Sequence, residues 1–296
     1  MKIRQSGAGG SGNGDGGGWN GSDGGNDEIN GKRGLGMMNG RENIIAIIGA
    51  MGIELRYLRD KMHIISEEEV SGFKFMLGTL HGVNLVLAKS GPGKENASRC
   101  CEVLIEEYCP KKVVNIGIAG ALDDRLNIGD VVIADETVQF EITEETSLKC
   151  ETVRDEALRS EASHGESAEE KRLSYEALQS EASQGVTVNV TDVVKTDAWI
   201  PEEVFEHCKV YLGSVATGDI FLQNEVLKRK ILEKTGSLTI DMESGAVAAQ
   251  AAMLDVSCSI VRAVSDRADG TPVSEWKMPP EKCAERAAIV AENNFL

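Results

Sequence analysis

The stretch from Ile44 to Met62 constrains the fold most, because it joins a buried strand to an amphipathic helix through a glycine turn. The run IIAIIGAM is apolar and turns at a glycine, which is typical of a buried strand. In the following GIELRYLRDKM, apolar residues recur at roughly helical spacing, at Ile53, Leu55, Leu58 and Met62. The sequence therefore predicts a strand, a tight turn and a helix.

The same alternation continues along the chain. FKFMLGTLHGVNLVLAKSG predicts two strands around His81-Gly82, and KENASRCCEVLIEEYC predicts an amphipathic helix. Further strands are predicted at KKVVNIGIAGAL, IGDVVIAD, VYLGSVATGD, SLTIDME and SCSIVRAVSD. This alternation of strands with helical or loop segments predicts an α/β sheet with helices on its faces.

Two segments have a different character. Residues 1 to about 42 are dominated by Gly, Asn, Asp and Ser, so they are predicted to form a flexible, disordered tail. Residues about 141–185 form a predicted acidic, low-complexity insertion with the near repeat EALRSEASHG and EALQSEASQG. This insertion is interpreted either as a solvated, partly helical or disordered appendage or as a regulatory or partner-binding arm.

Charge and cysteine content exclude several classes of function. A formal net charge of -17 argues against binding to nucleic acid, which requires a basic surface. The seven cysteines contain no C-x-x-C pair, and the four histidines are scattered, so neither a metal site nor a histidine triad is expected. With no long apolar span and no signal-peptide core, the sequence predicts a cytoplasmic protein with reduced thiols and no membrane partner.

Chemistry-bearing residues follow several of the predicted strands. Ligands of open α/β sheets bind beyond the strand ends, and Glu54, Phe221, Glu243 and Asp266 all stand at such positions. Taken singly, each has a structural alternative, such as a carboxylate that favours a helix dipole, a helix N-cap or an aromatic core residue. Together they predict one small-molecule site.

Seven ordered motifs carry a family resemblance: IIGAM..E, KSGPGK, NIGIAGAL, LNIGDVVIAD, ATGDIFL, DMESGAVA and VRAVSDRADG. They resemble the 5'-methylthioadenosine/S-adenosylhomocysteine nucleosidases of the purine nucleoside phosphorylase superfamily. The resemblance covers about residues 44–134 and 211–296. It implies one α/β domain over residues 43–296 with a mixed, twisted central β-sheet flanked by helices. It also implies a homodimer, an adenine nucleoside as ligand, and no cofactor.

The resemblance assigns a role to each candidate residue. Asp266 corresponds to the acid that protonates adenine N7, and Glu54 to the residue that activates the attacking water. Glu243 and Met242 would hold the ribose, Phe221 would stack on adenine, and Arg262 would lie near the water or the ribose. The remaining expected substrate-binding residues are Leu222, Ser265, Ala119 and Gly120.

The implied reaction is hydrolysis of methylthioadenosine and S-adenosylhomocysteine in methionine salvage, with 5'-deoxyadenosine as a further candidate substrate. Two alternatives stay open: a phosphate-dependent nucleoside phosphorylase and a catalytically silent nucleoside-binding relative. Glu54 favours water over phosphate, since a carboxylate repels the anion, and helical geometry turns Arg56 to another face. TVQFEITEETSLKCE stands where the family has a TAFGYxxGQxPG-like segment, so the 5' end of the site is expected to differ.

Overall fold

The structure, a computed structural model, describes residues 43–144, 186–198, 208–271 and 278–296. The predicted tail at 1–42 lies outside the described residues, as do residues 145–185 of the predicted insertion. The sixth strand continues to Glu144, so the first residues assigned to the insertion extend this strand instead.

The described residues form ten strands and five helices. The strands are β1 (Ile44–Gly49), β2 (His63–Val70), β3 (Phe73–Leu80), β4 (Val83–Lys89), β5 (Lys112–Ala121), β6 (Val131–Glu144), β7 (Val186–Lys195), β8 (Val210–Thr217), β9 (Thr239–Asp241) and β10 (Ser257–Asp266). The helices are α1 (Gly52–Lys61), α2 (Lys94–Tyr108), α3 (Glu225–Thr235), α4 (Ser244–Met253) and α5 (Pro280–Phe295). These bounds confirm the predicted α/β alternation.

All ten strands belong to one mixed sheet. Its order is β10-β6-β8-β9-β5-β1-β4-β3-β2, and β7 pairs with the outer part of β6. β5 runs parallel to both β1 and β10, whereas β6 runs antiparallel to β10 and parallel to β8. Because β10 pairs with β5 as well as β6, the strands β5, β10, β6, β8 and β9 close into a ring. The ring brings the ends of distant strands together.

The two faces of the sheet are covered by different helices. Along β1, Ile44, Ala46 and Ile48 point into a core with α2 and α4, while Ile45 and Ile47 point into a second core with α1 and α5. Every residue of β1 is therefore buried, as its uninterrupted apolar sequence predicts. A third, smaller apolar cluster lies under α3.

Two strands were absent from the sequence prediction. β2 has the sequence HIISEEEV, whose three consecutive glutamates hide its β-pattern, yet it pairs antiparallel with β3 from His63 to Val70. It forms one edge of the sheet, where charged side chains are common because they oppose edge-to-edge association. β7 pairs with β6, and residues 145–185 separate the two strands in sequence, so each strand has a distant partner.

The described cysteines are all free thiols. Cys100, Cys101, Cys258 and Cys283 are buried, whereas Cys109 is exposed and Cys208 is partly buried. Burial in apolar surroundings raises the pKa of the Cys283 thiol to about 11, which keeps it protonated and unreactive. Within the described ranges, no helix combines the length and the apolar character needed to cross a membrane.

Candidate active site

A cavity opens where β1, β5, β9 and β10 end. Its empty space is about 760 Å³ including the open mouth. The three carboxylates singled out in the sequence, Glu54, Glu243 and Asp266, all line this cavity. Each is less than a tenth exposed. The fold therefore gathers three buried acids, from distant parts of the chain, around one space.

Most of the other residues predicted to bind substrate also line the cavity. They are Met242, Phe221, Leu222, Ser265, Ala119 and Gly120. Phe221 is 58% exposed at the mouth, whereas its neighbour Leu222 is buried in the cluster under α3. Phe221 is therefore no core residue, and its aromatic face is available to a ligand.

Glu54 stands in the first turn of α1 and is held by two backbone groups. Its Oε2 accepts a hydrogen bond from the Met51 amide at 2.8 Å, which caps the helix. Its Oε1 accepts from the Ile118 amide at 3.0 Å. Burial raises the pKa of Glu54, while the nearby Arg262 charge and these two donors oppose that rise. The helix-capping role and a position in the cavity thus coexist in one side chain.

The close approach of Glu54 to β5 requires a glycine at position 117. A Cβ atom at Gly117 would lie 2.6 Å from Glu54 Oε1 and 3.3 Å from an Arg262 guanidinium nitrogen. Any larger residue would push the carboxylate out of its place between α1 and β5. The first glycine of the NIGIAGAL motif is therefore required by packing beside the cavity.

Glu243 lies two residues after the end of β9 and directly precedes the first residue of α4. Its Oε1 accepts a hydrogen bond from the Gly93 amide at 2.8 Å. Gly93 has a φ of 94°, a conformation that favours glycine and aims this amide at the carboxylate. Burial and the neighbouring Asp241 charge raise the pKa of Glu243 to about 7. This carboxylate is therefore costly to ionise until a ligand donates hydrogen bonds to it.

Asp266 is the last residue of β10 and stands just after a bulge in its pairing with β5. The Ser265 hydroxyl donates to its Oδ2 at 2.7 Å, and the Ala268 amide donates to its Oδ1 at 2.9 Å. Burial raises the pKa of Asp266, and these two donors partly oppose the rise. The group therefore has an environment that keeps a carboxyl proton to higher pH than water does.

Arg262 lies behind the cavity and is not among the described residues that line it. Its Nε donates to Asp241 Oδ2 at 2.7 Å, and its terminal nitrogens bond the backbone and side-chain oxygens of Asn115. With these donors occupied, the guanidinium acts on the site through its charge on Glu54.

Asp241 lines the cavity, although the sequence interpretation gave it no role. It accepts hydrogen bonds from the Thr217 hydroxyl at 2.7 Å and from the Ser244 amide and hydroxyl, in addition to Arg262. The only sequence signal was a second acid two residues before Glu243 in TIDME. Its role depends on its ion pair with Arg262 of β10, which no local sequence pattern reveals.

The cavity lining is acidic and apolar. Among the described residues that line it, no lysine or arginine occurs. Nor do the described ranges contain a group of three or more His, Cys, Asp or Glu side chains placed to hold a metal ion. The groups available to a ligand here are carboxylates, a serine hydroxyl, backbone amides and an aromatic ring.

Sequence comparison places the chain among known proteins. The family model of the phosphorylase superfamily matches residues 44–293. The chain belongs to this superfamily. Within it, the chain is 34% identical over 223 residues to the 5'-methylthioadenosine/S-adenosylhomocysteine nucleosidase of Bacillus cereus strain G9842, covering 75% of this chain and 85% of the relative. The resemblance carried by the seven motifs is confirmed.

Solved structures of other proteins share the fold. The nucleosidase from Neisseria meningitidis, solved with methylthio-immucillin-A, aligns with a TM-score of 0.61 and 25% identity over 85% of this chain and 98% of that one. Futalosine hydrolase of Helicobacter pylori aligns with a TM-score of 0.59 and 23% identity over 85% of this chain and 96% of that one. The second likeness shows the fold alone. The predicted nucleosidase-type α/β fold is thus confirmed.

Proposed function

We propose that this protein hydrolyses the N-glycosidic bond of 5'-methylthioadenosine and S-adenosylhomocysteine and releases adenine. The observation that carries the proposal is the arrangement of Glu54, Glu243 and Asp266 around one cavity. Cleavage of such a bond has an oxocarbenium-like transition state and needs an acid for the leaving group and a base for the nucleophile. The 34% identical nucleosidase supports the choice of substrate.

Asp266 is the proposed proton donor to adenine N7. Its raised pKa keeps a larger fraction of the carboxyl protonated near neutral pH than an exposed aspartate would have. Once the proton has moved, the Ser265 hydroxyl and the Ala268 amide stabilise the carboxylate that forms. Phe221 would stack on the adenine ring, and the backbone around Leu222 would contact the purine edge.

Glu243 is the proposed ribose ligand. The Gly93 amide fixes the orientation of its carboxylate, which can then accept hydrogen bonds from the 2'- and 3'-hydroxyls. These donors would lower the pKa of Glu243 from about 7 and favour the ionised form on binding. Met242 would pack on the face of the sugar.

Glu54 is the proposed base for the attacking water. The amides of Met51 and Ile118 and the charge of Arg262 favour its ionised form, against the effect of burial. A carboxylate in this state can accept a proton from water as the water attacks the anomeric carbon. No step requires a metal or an organic cofactor.

The lining favours hydrolysis over phosphorolysis. A phosphate nucleophile needs cationic or amide donors, and a buried carboxylate at the first-strand turn repels it. Arg56 is exposed on α1 and does not line the cavity, while Arg262 is paired with Asp241. The presence of an acid, a base and a ribose ligand at one cavity also argues against a catalytically silent binding protein.

Incubation with methylthioadenosine in phosphate-free buffer tests the proposal directly. We expect free adenine and methylthioribose in equal amounts, measured by liquid chromatography. A requirement for phosphate, with a sugar 1-phosphate as product, would identify a phosphorylase. Saturable binding without any product would identify a silent relative.

We further propose that residues 43–296 form the nucleosidase domain, which acts in cytoplasmic methionine salvage as a homodimer. The free, mostly buried thiols support a reducing compartment. Exposed apolar residues on β7 and β8, namely Val190, Val193 and Leu212, support a further contact surface. Light scattering coupled to gel filtration measures the oligomeric state, and a monomeric mass would contradict the dimer.

A further inference from the structure

Asp219 lies in the loop after β8 and contacts the start of α2, a helix distant from it in sequence. Its Oδ1 accepts a hydrogen bond from the Lys94 amide at 3.0 Å, and its Oδ2 lies 3.5 Å from Lys94 Nζ. The N-cap of α2 is Gly93, which has no side chain to accept from the first amides of the helix. Asp219 therefore supplies, from another loop, the cap that α2 lacks in its own sequence.

The same turn carries the amide that binds Glu243. Among the described residues, the Gly93 amide is the one hydrogen-bond donor to the Glu243 carboxylate, at 2.8 Å. Gly93 has no Cβ to restrict its backbone, so contacts outside the turn must fix the direction of its amide. A Cβ atom at Gly93 would lie 3.7 Å from Asp219 Oδ1, so this carboxylate packs directly against the turn. A shift of the turn away from Asp219 would move the Gly93 and Lys94 amides together.

Asp219 itself stands outside the cavity. Its side chain is 56% exposed, and it is not among the described residues that line the cavity. The Gly218 amide, just before it, donates to the carbonyl of Asp241 at 3.1 Å, which fixes the base of the loop to β9. Asp219 therefore joins the strand that leads to Glu243 with the turn that donates to Glu243. It can act on a ligand only through the groups that it holds.

We propose that Asp219 is a positioning residue for the ribose end of the site, where it holds the Gly93-Lys94 turn and so directs the Gly93 amide at Glu243. This inference rests on the proposed nucleosidase function. A carboxylate that is oriented before the ligand arrives loses less conformational freedom when it accepts the ribose hydroxyls. Without Asp219 the turn loses its anchor, and the ordering of Glu243 then reduces the affinity for the sugar.

Two ligands separate this role from a general effect on the site. Dissociation constants are measured by calorimetry for a non-hydrolysable methylthioadenosine analogue that keeps both ribose hydroxyls, and for free adenine, which has none. In Asp219→Ala we expect the affinity for the analogue to fall about three- to tenfold, as for the loss of a helix cap. The affinity for adenine should change less than about twofold, because the loop that carries Phe221 keeps its bond to Asp241.

Two further variants identify the bond that is responsible. Asp219→Asn keeps an oxygen that can accept from the Lys94 amide, so its affinity for the analogue should stay within about twofold of that of the unaltered protein. Lys94→Met removes the ammonium group but leaves the amide in place, and it should change neither affinity. A Lys94→Met variant that reproduces the full loss would show that the ion pair, and not the capped turn, supports the site.

Asp123→Ala is the matched control. Asp123 also accepts from a backbone amide, that of Arg125 at 2.8 Å, and pairs with the side chain of the same residue at 2.6 Å. It is not among the described residues that line the cavity, so both affinities should stay unchanged. A loss for the analogue in Asp219→Ala that is no larger than the loss for adenine would overturn the assignment. Failure of the proposed function is distinct, because the unaltered protein would then release no adenine from methylthioadenosine.

Discussion

Arg262 Nε donates a hydrogen bond to Asp241 Oδ2 at 2.7 Å, and both side chains are almost completely buried. Asp241 ends β9 and lies two residues before Glu243, while Arg262 is on β10 four residues before Asp266. The ion pair therefore joins the two strands at whose ends the proposed ribose ligand and the proposed acid stand. It also brings a positive charge close to Glu54.

Removing Asp241 should destabilise the fold strongly. Asp241→Ala leaves the Arg262 guanidinium buried without its charged partner, and we expect a loss of about 3–5 kcal/mol in the free energy of unfolding. Urea denaturation measures this loss. Asp60→Ala is the matched control, because it breaks an Arg59–Asp60 pair of the same 2.7 Å length on the surface. The control should cost at most about 1 kcal/mol, and equal losses in both variants would contradict the prediction.

Replacing the proposed acid should separate binding from catalysis. Asp266→Asn keeps the shape of the side chain and an oxygen that can accept from Ala268, but it has no carboxyl proton to give. We expect kcat to fall by about 10²- to 10⁴-fold, with little change in the affinity for a non-hydrolysable methylthioadenosine analogue. Single-turnover kinetics and calorimetry measure the two quantities. Undiminished turnover would remove Asp266 from the acid role.

Glu54→Gln tests the base against the simpler helix-capping role. The amide can still accept one backbone hydrogen bond, yet it cannot take a proton from water, so kcat should fall by about 10²- to 10⁴-fold. Glu95→Gln is the control, since Glu95 occupies the first turn of α2 and is exposed. It should change kcat less than twofold. If Glu54→Gln alters stability but not kcat, capping alone explains the residue.

The sequence predicted the parts of the fold whose signals are local. β1, β5 and β10 are apolar runs buried on both faces, and α1 and α2 have a helical apolar period, so each could be recognised within its own segment. β2 and β7 could not, because β2 is acidic and exposed and β7 depends on its pairing with a distant stretch of β6. Pairing partners outside the local window decide such strands.

The candidate site likewise contains some residues that the sequence could predict and others that it could not. Glu54, Glu243 and Asp266 stand at strand ends, where a sequence can be searched for chemistry, and all three line the cavity. The resemblance placed Arg262 near the attacking water or the ribose, and it is not among the described residues that line the cavity. Successive strand residues point to opposite sides, and its long side chain turns towards Asp241, so proximity along the chain did not set its contacts. Asp241 was missed for the same reason.

The raised pKa of Glu243 should make stability depend on pH. Its pKa rises from 4.5 to about 7 in the fold, so the folded state binds the proton more tightly than the unfolded chain. The resulting stabilisation is complete below about pH 4.5 and is lost as the pH rises through 7. Glu243→Gln removes this dependence. The free energy of unfolding of Glu243→Gln, relative to that of the unaltered protein, should therefore rise by about 2–3 kcal/mol between pH 5 and pH 8. Urea denaturation at the two pH values measures this difference.

Phe221 should contribute to ligand binding but not to folding. Its side chain is exposed at the cavity mouth, so Phe221→Ala removes little buried surface and should change the free energy of unfolding by less than about 0.5 kcal/mol. Loss of stacking on adenine should raise KM for methylthioadenosine about three- to tenfold. Met253→Ala, at a residue 79% exposed at the end of α4 and away from the cavity lining, is the control and should leave KM unchanged. An unchanged KM in Phe221→Ala would mean that the purine binds without this ring, and the adenine end of the site would then have to be assigned to Leu222 and the backbone alone.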